Sequence, residues 1–142
     1  LAGRRLNDNM GIVVVNQVIK LMIKKGLRIE GSPVLVLGIT FKENCPDIRN
    51  SRVIDVVNEL KSFGCEVTVY DPWADPAEVM EEYGIKILTK ASQLDKNKYN
   101  ALVVAVAHDE FISLELTQLK ADKSVVFDIK AVFPLDQIDG RL

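Results

Sequence analysis

Phe41, Lys42, Asp47, Arg49 and Ser51 stand close together, directly after the apolar run Val34–Leu37 and Gly38. A lysine offers a point charge to a phosphate, and an arginine can fork onto a second phosphate or a carboxylate. Phe41 offers a ring able to stack on a base or sugar. Farther along are Asp71, His108 (the only histidine), Asp128 and Lys130. Each is expected to follow a strand, and parallel α/β sheets bind ligands beyond the carboxyl ends of their strands. A strand that hands over to a helix through a charged loop gathers cations and free backbone N–H groups at one point. Such a point suits an anion, above all a phosphate, so a nucleotide site is expected at this loop.

Each of these residues also has a plainer reading. Asp47 and Arg49 could simply pair with each other on a solvated loop. Asp71 could accept from ribose hydroxyls, but an aspartate before Pro72 more often caps its own turn, which is the reading preferred. His108 precedes a helix and has no nucleophile beside it in sequence, so packing or capping is preferred to catalysis. Cys45 lies where Lys42 and a helix N-terminus would lower its pKa, yet a catalytic role is not expected of it. Cys65, between Gly64 and a strand, reads as buried filler.

The elements that must position these groups follow from pattern. A long helix is expected over about 4–25, apolar on more than one face, with Gly26 as its C-cap. Gly31-Ser32-Pro33 breaks the chain before the first strand, Val34–Leu37. Ser51 stands where an N-cap belongs, ahead of an amphipathic helix over 52–63 that Gly64 ends. Further strands are expected over 66–70, 85–88, 101–106 and 125–129. Helical pattern is expected over 76–83, stopped by Gly84, in a turn over 91–94, and over 110–120; the tail to Leu142 reads as loop. Strands alternating with helices predict an α/β, Rossmann-like, doubly wound parallel sheet of about five strands, preceded by a long N-terminal helix.

Composition bounds the partners. The chain has 142 residues, 48% hydrophobic and 27% charged, with a net charge of −2. This is the make-up of a globular domain, and the near-neutral balance gives no reason to expect nucleic acid or a membrane as partner. Cys45 and Cys65 form neither a CxxC nor a cluster with histidines, so no metal site is expected and a reducing, cytoplasmic compartment is. No apolar run approaches the roughly 20 residues of a membrane span. The chain opens at Leu1 inside helical pattern, which predicts a piece of a longer protein. The first βα turn carries only Gly38 and lacks GxGxxG, so an ordinary NAD site within this domain is not expected.

The run Gly38-Ile39-Thr40-Phe41-Lys42, then Asp47, Arg49 and Ser51, and later Tyr70-Asp71-Pro72, resembles the C-terminal domain of the UDP-glucose/GDP-mannose dehydrogenases, whose signature reads GxxFKxxxxDxRxS followed by YDP. The opening Gly3–Gly11 resembles the subgroup that oxidises UDP-N-acetylhexosamines to uronic acids for surface polysaccharides. The resemblance implies an N-terminal NAD domain, a central helical region and this UDP-binding domain. Residues 1–30 would then be the end of the central, dimerising helix, and 31–142 the UDP-sugar-binding domain. It also implies two successive hydride transfers to NAD, with a cysteine nucleophile in a GGxC segment that this chain lacks. The chain by itself is therefore expected to be inactive, with no catalytic residue.

Carried over by motif, Phe41 and Lys42 match the family's UDP-sugar contacts, and Arg49 an arginine that reaches towards NAD. Lys130 stands where many relatives have an arginine for the nucleotide sugar, a swap that keeps the charge and loses the fork. Cys45 replaces a frequent threonine, and Arg52 a frequent proline. Subunit pairing through the central helix implies a homodimer with Val14, Val18 and Met22 among its contacts. Two other readings stay open: a non-catalytic nucleotide-binding regulatory module, and a purely structural dimerisation domain.

Overall fold

Five strands make one parallel sheet in the order β3-β2-β1-β4-β5. They are β1 (Pro33–Leu37), β2 (Glu66–Tyr70), β3 (Ile87–Leu88), β4 (Tyr99–Val104) and β5 (Lys120–Asp128). The computed structural model describes residues 9–142. Before β1 runs helix α1 (Met10–Lys24); α2 (Val53–Ser62) joins β1 to β2, and α3 (Pro76–Tyr83) joins β2 to β3. Two single turns, α4 (Asp109–Ile112) and α5 (Leu116–Leu119), lie between β4 and β5. Alternation along the central strands divides the core into two layers. Val34, Val36, Val103, Val125 and Phe127 face α1, α2 and α3. Leu35, Leu37, Leu102, Val104 and Val126 face Phe111, Leu116, Leu119 and Phe133. Helices thus cover both faces, and the doubly wound α/β sheet expected from the sequence is present.

Chain order reverses between β1 and β4: from β1 the chain winds outward to β2 and β3, then crosses back to the other side of β1. The crevice above that reversal is where a sheet of this kind receives a ligand.

Several boundaries differ from the expected ones. The expected helix over 110–120 is two separate turns. On one continuous helix, Leu116 would sit roughly 140° around the axis from Phe111, at 100° per residue. Breaking the helix at Ser113–Glu115 lets Phe111, Leu116 and Leu119 all turn inward, where they are buried. The fourth strand is Tyr99–Val104 rather than 101–106, because Ala105 and Val106 both turn their N–H groups to the Leu37 carbonyl. β5 begins at Lys120, paired with Tyr99, earlier than the expected 125. The tail is not plain loop: Leu135–Gln137 forms a short 3-10 turn, and Gly140 bridges Phe127 beside β5.

The helical reading over 4–25 falls partly on residues outside the described ones; within them, α1 ends as expected. Gly26 takes φ +76°, and the Leu27 N–H donates to the Met22 carbonyl, closing a left-handed cap. Val14, Val18 and Met22 correct the dimer expectation. They form the stripe of α1 that packs on the chain's own core and are fully buried there. Apolar residues on the outer side of α1 are Ile12, Val13 and Ile23, the last 60% exposed. Among the described residues no helix is long and apolar enough to cross a membrane.

Candidate functional site

The β1–α2 loop decides the shape of the crevice. Gly38 leaves β1 at φ +95°, where a Cβ would meet the Val106 side chain at 2.5 Å. Only glycine fits that turn and that approach together. The chain then carries Thr40, Phe41, Lys42 and Glu43 across the ends of β1 and β4. Asn44 and Asn50 take left-handed φ values of 54° and 60°, a conformation asparagine tolerates better than other side chains. Between them Ile48 is buried, and the Tyr83 hydroxyl donates to its carbonyl at 2.6 Å, tying the middle of the loop to α3. The helix starts at Val53 with Arg52 at the N-cap, one residue later than expected. Ser51 nevertheless keeps a capping bond, its Oγ accepting from the Val53 N–H at 3.3 Å.

This loop forms one wall of a cleft of about 240 Å³ at the reversal between β1 and β4. Its floor is apolar, made of Val53, Val56, Ala105, Val106 and Ile129, and Met10 closes it from α1. Phe41, Lys42, Asn50, Arg52 and Lys130 stand around the rim. Phe41 is 58% exposed on that rim, where its ring is open to stacking by a flat group. No ion pair engages Lys42 or Lys130 among the described residues. Lys130 is set by Asp128, which is fully buried and whose two carboxylate oxygens accept from the Lys130 and Phe133 N–H groups at 3.1 and 2.8 Å. The cleft therefore offers three cations, Lys42, Arg52 and Lys130, against one acid, Glu43, with an exposed ring above an apolar floor, a combination suited to an anion joined to a flat or saccharide group.

Three of the sequence candidates, Phe41, Lys42 and Lys130, meet at this cleft. Arg49 stands apart from it. Its guanidinium forks onto Asp47, with Nε and Nη2 donating at 3.0 and 3.1 Å, and its side chain is 80% exposed. The hydrogen bonds and charge of Arg49 hold the Asp47 carboxyl below the ordinary carboxylate range, and those of Asp47 raise the guanidinium. Both groups are bathed in solvent, so the pair orients Arg49 and adds little to stability.

Asp71 and His108 are both fully buried and line no cleft. Asp71 caps its own turn, Oδ1 accepting from the Trp73 and Ala74 N–H groups at 2.7 and 3.1 Å. Oδ2 reaches across to the β1 loop and accepts from Ile39 N–H at 2.7 Å, Thr40 N–H at 3.2 Å and His108 Nε2 at 2.9 Å. Burial pushes its pKa up, but the His108 and backbone hydrogen bonds outweigh that and hold it below the ordinary value of 3.8. A ribose cannot reach this carboxylate, so the turn-capping reading holds. His108 packs between Trp73 and Phe111, in keeping with the packing reading; it sits at the N-cap position of α4, but its ring makes no capping bond to that turn and binds Asp71, Thr40 and Asn44 instead. Cys45 is partly exposed in the loop; Cys65 is buried, and burial raises its thiol pKa.

Met10, Asn50, Val106 and Ile129 were not anticipated as lining residues. Nothing local in the sequence marks them, since they come from elements that only the fold brings together. Among the described residues no three acidic, histidine or cysteine side chains stand close enough to hold a metal.

Comparison with known proteins gives one consistent result. The model of the UDP-glucose/GDP-mannose dehydrogenase family, UDP binding domain, matches residues 35–134. The chain is 52% identical over 145 residues to a UDP-N-acetyl-D-glucosamine 6-dehydrogenase of Salmonella typhi, covering all of this chain and 33% of that protein. It is 42% identical to the enzyme of the same name from Pseudomonas aeruginosa, covering all of this chain and 34% of that one. Among solved structures, an NDP-N-acetyl-D-galactosaminuronic acid dehydrogenase from Methanosarcina mazei superposes with a TM-score of 0.82 at 24% identity, over 96% of this chain and 30% of that one. The chain thus spans about a third of the length of the curated relatives it matches.

Proposed function

The chain belongs to the UDP-glucose/GDP-mannose dehydrogenase family, as its UDP-binding domain, and from that premise we propose that it is the UDP-sugar-binding part of an NAD-dependent nucleotide-sugar 6-dehydrogenase. The substrate is a UDP-N-acetylhexosamine, oxidised to its uronic acid for surface polysaccharide. One observation carries the reading: Phe41, Lys42 and Lys130 converge on one apolar-floored cleft where the sheet reverses.

In this reading Lys42 and Lys130 offset the charge of the pyrophosphate, and Phe41 covers the nucleoside or sugar. The domain's contribution is positioning. Binding energy gathered on the nucleotide, far from the bond that reacts, is spent on holding the sugar carbon in place for oxidation.

The residues present do not fit a whole dinucleotide site, because the first βα turn has Gly38 alone and leads into a long charged loop. NAD would be held by the part of the protein that precedes this chain. Arg49 is the one residue here assigned to it, by its resemblance to the family's arginine; its exposed guanidinium pairs with Asp47 and does not line the cleft. Residues 1–30 lead from that part, and 31–142 make the binding domain. The outer face of α1, with Ile12, Val13 and Ile23 exposed, is the surface assigned to homodimer contact. The two unpaired thiols suit the cytoplasm.

The test is Lys42→Ala in the full-length protein, with binding of UDP-N-acetylglucosamine followed by calorimetry. A hydrogen bond to a charged group is worth about 1.5–3 kcal/mol, so affinity should fall more than about tenfold. An unchanged dissociation constant would remove Lys42 from the site and the reading with it.

A further inference from the structure

The exposed side chains of the β1 loop at the cleft are those of Asn50, Arg52 and a tripeptide, Phe41–Glu43, and both ends of that tripeptide are pinned from behind. At its start, the Thr40 N–H is held by Asp71, and the Thr40 hydroxyl donates to the Lys42 carbonyl at 2.9 Å. At its end, the Asn44 N–H donates to His108 Nδ1 at 3.0 Å, and Asn44 Oδ1 accepts from the Asp109 N–H at 3.0 Å. His108 touches both ends, because its Nε2 lies 3.1 Å from the Thr40 hydroxyl as well as 2.9 Å from Asp71. The ring's tautomer follows from its partners. Nδ1 receives a backbone N–H and so carries no proton; Nε2 carries it and donates to Asp71.

We infer that His108 is a positioning residue for ligand binding: oriented by Asp71, it clamps Asn44 and so sets the conformation in which Phe41 and Lys42 meet the nucleotide. The inference rests on the nucleotide-site reading above and adds the group that preorganises it. Ring and ligand never touch, for His108 is fully buried on the far side of the loop. Its part differs from that of Asp71, which holds Ile39 and Thr40 directly; the contribution special to His108 is the acceptor at Nδ1. Asn44 needs that acceptor because it sits at φ 54°, a conformation the loop must be held in.

Two variants separate the ring's two nitrogens. His108→Asn can place an amide oxygen near the position of Nδ1, and His108→Gln an amide nitrogen near that of Nε2. Both lose the ring that packs 6.2 Å from Trp73 and 5.2 Å from Phe111, so the loss of packing is common to them and the difference reports the hydrogen bond. In the full-length protein without ligand, hydrogen exchange of the 41–45 segment should be faster by about tenfold in His108→Gln and within about threefold of the parent in His108→Asn. Affinity for UDP-N-acetylglucosamine should follow the same order. If the two variants exchange alike, or His108→Asn is the looser, the clamp is overturned. Should neither variant fold, the parent decides: the Asn44 N–H, held by His108 Nδ1, should exchange more than about tenfold more slowly than the neighbouring amides of Lys42 and Glu43, and equal rates overturn the inference. A parent protein that fails to bind UDP-N-acetylglucosamine, while the exchange difference between variants holds, removes the nucleotide reading and leaves the clamp standing.

Discussion

Asp71→Asn tests the network behind the cleft at the cost of a single atom. The parent carboxylate is fully buried and accepts five hydrogen bonds, three on Oδ2 from Ile39, Thr40 and His108, and two on Oδ1 from Trp73 and Ala74. An amide has one acceptor oxygen. Whichever way it is turned, its NH2 group confronts donors that have nowhere else to go. Each buried donor left without an acceptor costs about 1–3 kcal/mol, and two or three are stranded, so a loss of about 3–5 kcal/mol is expected. Against a typical total of about 5–15 kcal/mol this is a large fraction, and it should lower the domain's melting temperature by about 10 °C. The pH dependence carries a sign. Because the folded carboxyl titrates below 3.8, its stabilisation is complete above that value and is lost as pH falls through the folded pKa. Asparagine has no such titration, so the gap between parent and variant should narrow as acid protonates the parent. Thermal melts of the full-length protein at several pH values read both effects. A gap under about 1 kcal/mol at neutral pH, or one that widens in acid, would refute the reasoning.

Gly38→Ala should cost about 3 kcal/mol, from a positive φ and a Cβ set 2.5 Å from Val106, and a melting temperature equal to the parent's would contradict the close approach. Arg49→Ala should leave stability and the KM for the UDP-sugar unchanged while raising that for NAD, the reverse of Lys42→Ala; a raised sugar KM would return Arg49 to the cleft. Ile12→Lys combined with Ile23→Lys should shift the full-length protein towards monomer in sedimentation velocity, and a dimer as tight as the parent's would acquit that face of α1.

Local rules made the strands and the loop legible because the signals are local. Val34–Leu37 and Ala101–Val104 are unbroken apolar runs, the form a strand takes when both faces are covered. Gly38 and Gly26 stand where a positive φ is needed, and the spacing of Phe41 and Lys42 after Gly38 places them over the strand end. The clamp was only half legible for the same reason. A reading of Asp71-Pro72-Trp73 finds the turn, but the bonds to Ile39, Thr40 and His108 join residues more than thirty positions apart, and no window along the chain contains them. Helix α1 misled in a different way. Its apolar residues cover more than one side, and hydrophobicity alone does not say which stripe meets the sheet; Val14, Val18 and Met22 do, leaving Ile12, Val13 and Ile23 outside. The expected helix over 110–120 failed because its apolar spacing suits two turns better than one cylinder.

Lys42 and Arg49 looked like one device in the sequence, two cations on one loop, and the fold separates them. The buried Ile48 is what divides the loop. Held in the core and tied by Tyr83, it stands between Lys42 at the cleft and Arg49, whose side chain is 80% exposed and off the cleft, before Asn50 and Arg52 return to the rim. Lys42 therefore meets what lies above the sheet's reversal, whereas Arg49 meets what approaches from outside the cleft. In the function proposed above, one short loop thus serves two neighbours, the nucleotide and the part of the protein that holds the cofactor. Asp47 satisfies the Arg49 fork in solvent, so this second cation is held oriented at no cost in buried charge.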